Sequence, residues 1–225
     1  MESFYAQSIK SILKNSKSEL VNYVYKNQEK FEVQIILTEL KKRRNSFTIH
    51  KKKFNADKNN YFYPASSIKL PIALLTFEKI NENPNLNINS EFLIEGDSII
   101  TTFKKEITDL FIISSNKSYN RLFEFLGQDY INEKLKQKGF KDFSISHRLS
   151  TKESDNLKTK EINFYRNGEI NQIQKSINNK PLTKLNLKNL NKGIGFILDN
   201  ELQNKSMDFS RKNYFSIEEL NNILI

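Results

Sequence analysis

In the run Tyr63-Pro64-Ala65-Ser66-Ser67-Ile68-Lys69-Leu70-Pro71, a serine stands three residues ahead of a lysine where an apolar helical pattern begins. Residues i and i+3 share a helix face, so the Lys69 ammonium can reach the Ser66 hydroxyl. A serine with a base within reach is a candidate nucleophile for acyl transfer. The apolar flank would bury the lysine, lower its pKa and help it accept that proton. A second constellation follows an amphipathic run, at Ser114-Ser115-Asn116-Lys117-Ser118-Tyr119-Asn120-Arg121-Leu122. Placed between two helices, the Ser114 hydroxyl can relay a proton and the Asn116 amide can hold a lysine or a substrate carbonyl. Ser-x-x-Lys alone is weak, because many helix starts satisfy it with the serine acting only as N-cap. The second site gives it weight.

Helices must position these groups. Ile68, Ile72, Leu75 and Ile80 recur at helical spacing, with Leu74 and Phe77 widening the stripe. Pro64 and Ser66 suit a helix start. Pro71 cannot donate to the Ser67 carbonyl and its ring crowds that group, so the backbone beside the nucleophile is expected to be irregular. Upstream, residues 2–26 carry a helical pattern with polar breaks and residues 31–40 are rich in β-branched types. Residues 46–54 alternate Phe47, Ile49 and Lys51, with residues 41–45 as the hairpin turn. From Tyr61 onward the chain reads as helical or irregular, with the polar stretch 163–179 as a surface segment. Ser216 and Glu219 form a capping box ahead of a terminal helix. The fold class expected is α/β (α+β). Residues 1–60 would form the first part of an α/β lobe, a helix and a hairpin, and residues 61–225 a mostly helical lobe carrying both motifs.

Composition bounds the function. A chain of 225 residues can bury a core as one domain or two interleaved lobes. With no cysteine, disulfides, thiolate chemistry and cysteine-based zinc sites are excluded. His50 and His147 form no metal pattern, so no metal or organic cofactor is implied. No apolar run reaches membrane-spanning length. The net charge of +10 raises another function class, because Lys41-Lys42-Arg43-Arg44 and Lys51-Lys52-Lys53 crowd one hairpin near Phe47, Phe54, Tyr61 and Phe62. Such a hairpin could hold nucleic acid through phosphate contacts and stacking. Lysine, asparagine and isoleucine abound along the whole chain, so the charge reads more simply as compositional bias, and no nucleic-acid partner is expected.

Ser66-x-x-Lys69 followed by Ser114-x-Asn116 resembles the active-site-serine β-lactamases and penicillin-binding proteins, most of all the class A β-lactamase branch. Pro64-Ala65 and Leu70-Pro71 flank the motif as in that family, and Asn120-Arg121-Leu122 running on to Gly127 is similar to its Ser-Asp-Asn helix. The resemblance implies an antiparallel sheet lobe plus a mostly helical lobe. It implies that Ser66 attacks a lactam carbonyl, that Lys69 takes part in its deprotonation, that Ser114 passes a proton to the departing nitrogen, and that Asn116 anchors Lys69 and the substrate. A small β-lactam or peptidoglycan-like amide is the expected substrate, opened through an acyl-enzyme on Ser66. The alternative is a penicillin-binding or peptidase relative that acylates without efficient turnover. A monomer in a periplasmic or extracellular setting is expected by the same resemblance, although the N-terminus lacks the order of a signal peptide.

The chain departs from the family pattern in two places. Ser115 stands where aspartate is usual, at a position that mainly organises the loop. The third motif, Lys-[Ser/Thr]-Gly, which would clamp a substrate carboxylate, is missing. Lys192-Gly193, followed by Ile194-Gly195, reads as a glycine-rich turn. The strands that return to complete the family's sheet are accordingly expected to be absent, leaving an open sheet edge, a marginal fold and a poor catalyst. Deacylation in the family needs a loop carboxylate to activate water. Here Arg148-Leu149-Ser150 leads into Glu153-Ser154-Asp155-Asn156, making Glu153 the first candidate and Asp155 the second.

Overall fold

The structure is a computed structural model and describes residues 8–198 and 201–225. In chain order its elements are α1 Ile9–Lys14, α2 Glu19–Lys26, β1 Ile35–Arg43, β2 Ser46–Phe54, α3 Lys69–Glu82, β3 Glu91–Ile94, β4 Thr101–Thr102, α4 Phe103–Ile112, α5 Asn116–Leu126 and α6 Gln128–Gln137. There follow β5 Phe143–Ser144, β6 Ile162–Arg166, β7 Glu169–Gln174, β8 Asn191–Lys192, β9 Phe196–Leu198, β10 Glu201–Gln203, β11 Met207–Asp208, β12 Tyr214–Phe215 and α7 Ile217–Asn222. The architecture is α+β, with every strand pairing antiparallel. Among the described residues no helix is long and apolar enough to cross a membrane. The chain divides into two compact units, residues 1–59 with 216–225, and residues 60–215.

The smaller unit is built on the β1–β2 hairpin, whose register runs from Ile35 opposite Phe54 to Arg43 opposite Ser46. Its turn is Arg44-Asn45, with Arg44 at φ +47°, so the strand runs on through residues 41–43, within the span expected to form the turn. Two-residue turns match the right-handed twist of paired strands, which is why the longer loop was unnecessary. Ser8 and Ser18 cap α1 and α2 through their hydroxyls. Ser216 caps α7 by accepting from the Glu219 amide at 3.1 Å. Helix α7 is tied to the hairpin by Thr38 donating to Asn221 and by Lys53 pairing with Glu218 at 2.6 Å. Neither strand has a further strand partner among the described residues.

The larger unit holds the dense core. A four-stranded sheet in the order β4-β3-β6-β7 sets Phe92 opposite Phe164. Phe103 at the start of α4 and Phe125 near the end of α5 close on them, with ring centroids 4.7 Å apart for Phe92 and Phe103 and 4.6 Å for Phe103 and Phe125. All four side chains are fully buried. Full burial of one such ring contributes about 1.5–3 kcal/mol. Helix α5 packs on α3 and α4, and this packing brings the two motif-bearing helix starts together.

Two expectations need correction here. Residues 61–225 are not mostly helical, since ten short strands, β3 to β12, lie in that stretch. They are two to six residues long, too short for period-2 alternation to register. The stretch 163–179 is largely the β6–β7 hairpin, turning at Asn167 (φ +55°) and Gly168 (φ +82°). Asn-Gly between two strands is the strongest local hairpin signal and was present in the sequence. The second correction concerns α3, where Ile68, Ile72, Leu75 and Ile80 are buried but Leu74 and Phe77 are 44% and 38% exposed.

Candidate active site

Ser66 sits in a 3-10 turn, Ala65–Ile68, that leads directly into α3. Pro71 therefore falls in the first turn of α3, where a missing N–H costs nothing, and the crowding expected around Ser67 is relieved by the tighter turn ahead of it. The Ser67 hydroxyl donates to the Pro64 carbonyl and fixes this turn. Ala65, just before the nucleophile, is held at φ +44°, a left-handed conformation that a non-glycine residue adopts only under constraint. Ser114 (φ +52°) and Ser150 (φ +48°) share it.

Lys69 is the hub. It is 3% exposed, and its Nζ donates to the Asn116 Oδ1 at 2.8 Å, the Ser114 Oγ at 2.9 Å and the Ser66 Oγ at 3.3 Å, as well as to the Ser114 carbonyl. The Ser114 and Ser66 hydroxyls are hydrogen-bonded at 3.0 Å. Burial disfavours the charged ammonium and pushes the Lys69 pKa below the ordinary lysine value. The family resemblance implies that these four residues act together, and the packing of α3 against α5 brings them together in space.

Ser115 explains itself at this point. It is the N-cap of α5 and its hydroxyl accepts from the Ser118 amide at 3.1 Å. Serine and aspartate cap helices about equally well, so the substitution keeps the turn that aims Ser114 and Asn116.

Residues outside the two motifs complete the site. Along α5, Asn116, Asn120 and Glu124 recur every four residues and present one face. The Asn116 amide donates to the Ser150 hydroxyl at 3.0 Å. Asn120 exchanges two hydrogen bonds with the Leu149 backbone at 2.9 and 2.7 Å. Glu124 takes a bidentate bond from Arg148 at 2.5 and 3.0 Å, with side chains 5% and 8% exposed. One helix face thus holds residues 148–150 in reverse order. The i, i+4, i+8 spacing was visible in the sequence; its partner loop was not.

The pocket at Ser66 has a volume of about 550 Å3 and is lined among others by Tyr63, Asn116, His147, Ser150 and Lys212. No aspartate or glutamate lines it among the described residues. Glu153 lies elsewhere. It lines a separate cavity on the other side of the loop, accepting a 3.5 Å bond from the Asn156 amide. Asp155 lines neither of these two cavities. Lys212 had no sequence signal, because a loop 146 residues downstream of Ser66 carries it there. The adjoining Asn213 anchors that loop, its Oδ1 accepting from the backbone amides of Ser146 at 2.8 Å and His147 at 3.1 Å.

No curated protein and no solved structure matches the chain. A profile for the β-lactamase enzyme family does, over residues 15–191, a span that includes Ser66, Lys69, Ser114, Asn116 and the whole of the loop held by α5. By that match, and consistent with the α+β architecture, the chain belongs to the β-lactamase enzyme family, within the serine hydrolase superfamily of that name.

Proposed function

We propose that this chain opens β-lactams or peptidoglycan-like amides by acylation of Ser66. The observation that carries the reading is the convergence of the Lys69 ammonium on the Ser66 and Ser114 hydroxyls and the Asn116 carbonyl oxygen. In the neutral form favoured by burial, Lys69 accepts the Ser66 proton as the oxygen attacks the amide carbonyl. The resulting tetrahedral centre collapses as the C–N bond breaks, and Ser114 delivers a proton from the Lys69 side to the departing nitrogen. Asn116 fixes Lys69 through its oxygen while its amide is tied to Ser150. The substrate carboxylate, which the family clamps with its third motif, meets Lys212 here. Arg148, the other lysine or arginine lining the pocket, is already committed to Glu124.

Release of the acyl group is the step that divides a β-lactamase from a penicillin-binding relative. Hydrolysis needs a base aimed at water beside the ester. With no carboxylate among the described residues lining the pocket and Glu153 on the far side of the loop, the geometry favours an acyl-enzyme that persists over one that turns over rapidly. Incubation with a fluorescent penicillin, followed by peptide mass mapping, tests both parts. Label on Ser66 that outlasts removal of free penicillin supports the reading. Label elsewhere overturns acylation at Ser66, and rapid loss of a Ser66 label overturns slow release.

A further inference from the structure

We infer that the cavity on the far face of the 148–156 loop binds a multivalent oxyanion, of the phosphate or polycarboxylate kind, held by Lys117, Lys152, Lys158 and Lys160 around Arg121. The cavity has a volume of about 380 Å3, and its lining includes six cationic side chains against three carboxylates. That volume corresponds to about a dozen waters, room for a ligand with more than one anionic group.

The charges do not cancel among themselves. Arg148 is satisfied by Glu124 and by the carbonyls of Asn156 and Lys158. Arg121 bonds Asp97 through Nε and Glu106 through Nη1, both at 2.7 Å. Its side chain is only 10% exposed, yet its Nη2 is buried with no acceptor. Glu106 Oε2 is likewise buried without a partner, so the pull on an anion comes from the lysines around this guanidinium. The four lysines come from α5, from the loop and from the irregular segment leading to β6, and none forms an ion pair among the described residues. Glu153 is the one carboxylate of the lining without a cationic partner. Four like charges around one concavity concentrate a positive potential that favours anions over solvent. Arg148 and Thr151 line both this cavity and the Ser66 pocket, so the ligand would sit against the back of the loop that presents Ser150. The site is independent of acylation at Ser66.

Titration of the whole chain at low salt with tripolyphosphate, and separately with citrate, tests the inference. Binding at a single site is expected, weakened about tenfold by the paired substitution Lys158→Gln/Lys160→Gln and by raised sodium chloride. Both lysines are exposed, so the fold should tolerate the change. Lys117→Gln/Lys152→Gln gives a second, separate pair with the same expectation. Tighter binding of tripolyphosphate assigns the phosphate class, and tighter binding of citrate the polycarboxylate class. Lys42→Gln/Arg44→Gln in the basic β1–β2 hairpin should leave binding unchanged. If neither anion binds, or if the hairpin pair weakens binding as much as the cavity pairs, the attraction is diffuse and the site is overturned.

Discussion

The two sides of the 148–156 loop are furnished for different chemistry. The side facing Ser66 offers hydroxyls, amides and lysine, with Ser150 bonded to Asn116 and, among the described residues, no carboxylate in the lining. The opposite side offers carboxylates and lysines, Glu153 among them. The Ser66, Lys69, Ser114 and Asn116 cluster is thus gathered on one side, and Glu153 lies on the other. Under the proposed function, the contrast makes forming an acyl-enzyme and hydrolysing it depend on separable parts. The first is set by two helix starts, the second by how one loop turns over the α5 face.

The largest effects should fall on the side that forms the acyl-enzyme. Ser66→Ala should remove penicillin labelling altogether, and an alanine variant that labels like the parent would end the nucleophile assignment. Lys69→Met should slow labelling by about a hundred- to ten-thousandfold, the usual contribution of a positioned base. The pH profile sharpens this. Because burial lowers the Lys69 pKa, its neutral, proton-accepting form accumulates at a pH where an ordinary lysine is still charged. Labelling should rise with pH and level off below 10.5, and a flat profile would remove Lys69 as the base.

Arg148→Ala tests the wall between the two sides. It strands Glu124 as a buried, uncompensated charge and releases the loop from α5. Breaking a buried pair in this way costs about 3–5 kcal/mol, readable as a drop in the denaturant midpoint. A change no larger than for a surface arginine would show that the Asn116 and Asn120 bonds suffice to hold the loop. Lys212→Met is milder. It should raise the penicillin concentration for half-maximal labelling roughly tenfold, the loss of one charge-assisted contact, and leave the maximal rate alone. If it lowers the maximal rate and spares the concentration dependence, Lys212 is not the carboxylate clamp.

How far the sequence alone reached follows the length over which each signal acts. Ser66, Lys69, Ser114 and Asn116 were legible because two short motifs, each within a few residues of a helix start, resemble those of a known family. The smaller unit's hairpin and Ser216 cap were legible because periodicity and capping are local. The sheet β4-β3-β6-β7 was not, because Phe92 and Phe164 find each other across about seventy residues of chain and their strands are only four and five residues long. Lys212 and Ser150 are cases of the same kind. Their types carry no chemistry until a long-range contact sets them beside Ser66. Glu153 shows the opposite hazard, since an acidic loop residue at a plausible distance in sequence can turn to either side of the loop it sits on.

Glu153 also gives the smallest expected effect. Its backbone is left-handed at φ +52°, and its carboxylate accepts only a 3.5 Å bond from Asn156 among the described residues. No ion pair would be broken by neutralising it, and the side chain is exposed. Glu153→Gln should therefore leave acylation unchanged and alter the release of the label by no more than about twofold, as for a surface substitution. The same change lifts a negative charge out of the lysine-lined cavity, so tripolyphosphate should bind slightly more tightly to the variant. Much slower release in Glu153→Gln would mean that the loop carries this carboxylate into the Ser66 pocket once the acyl group is in place. The separation of the two sides would then be a property of the free enzyme alone.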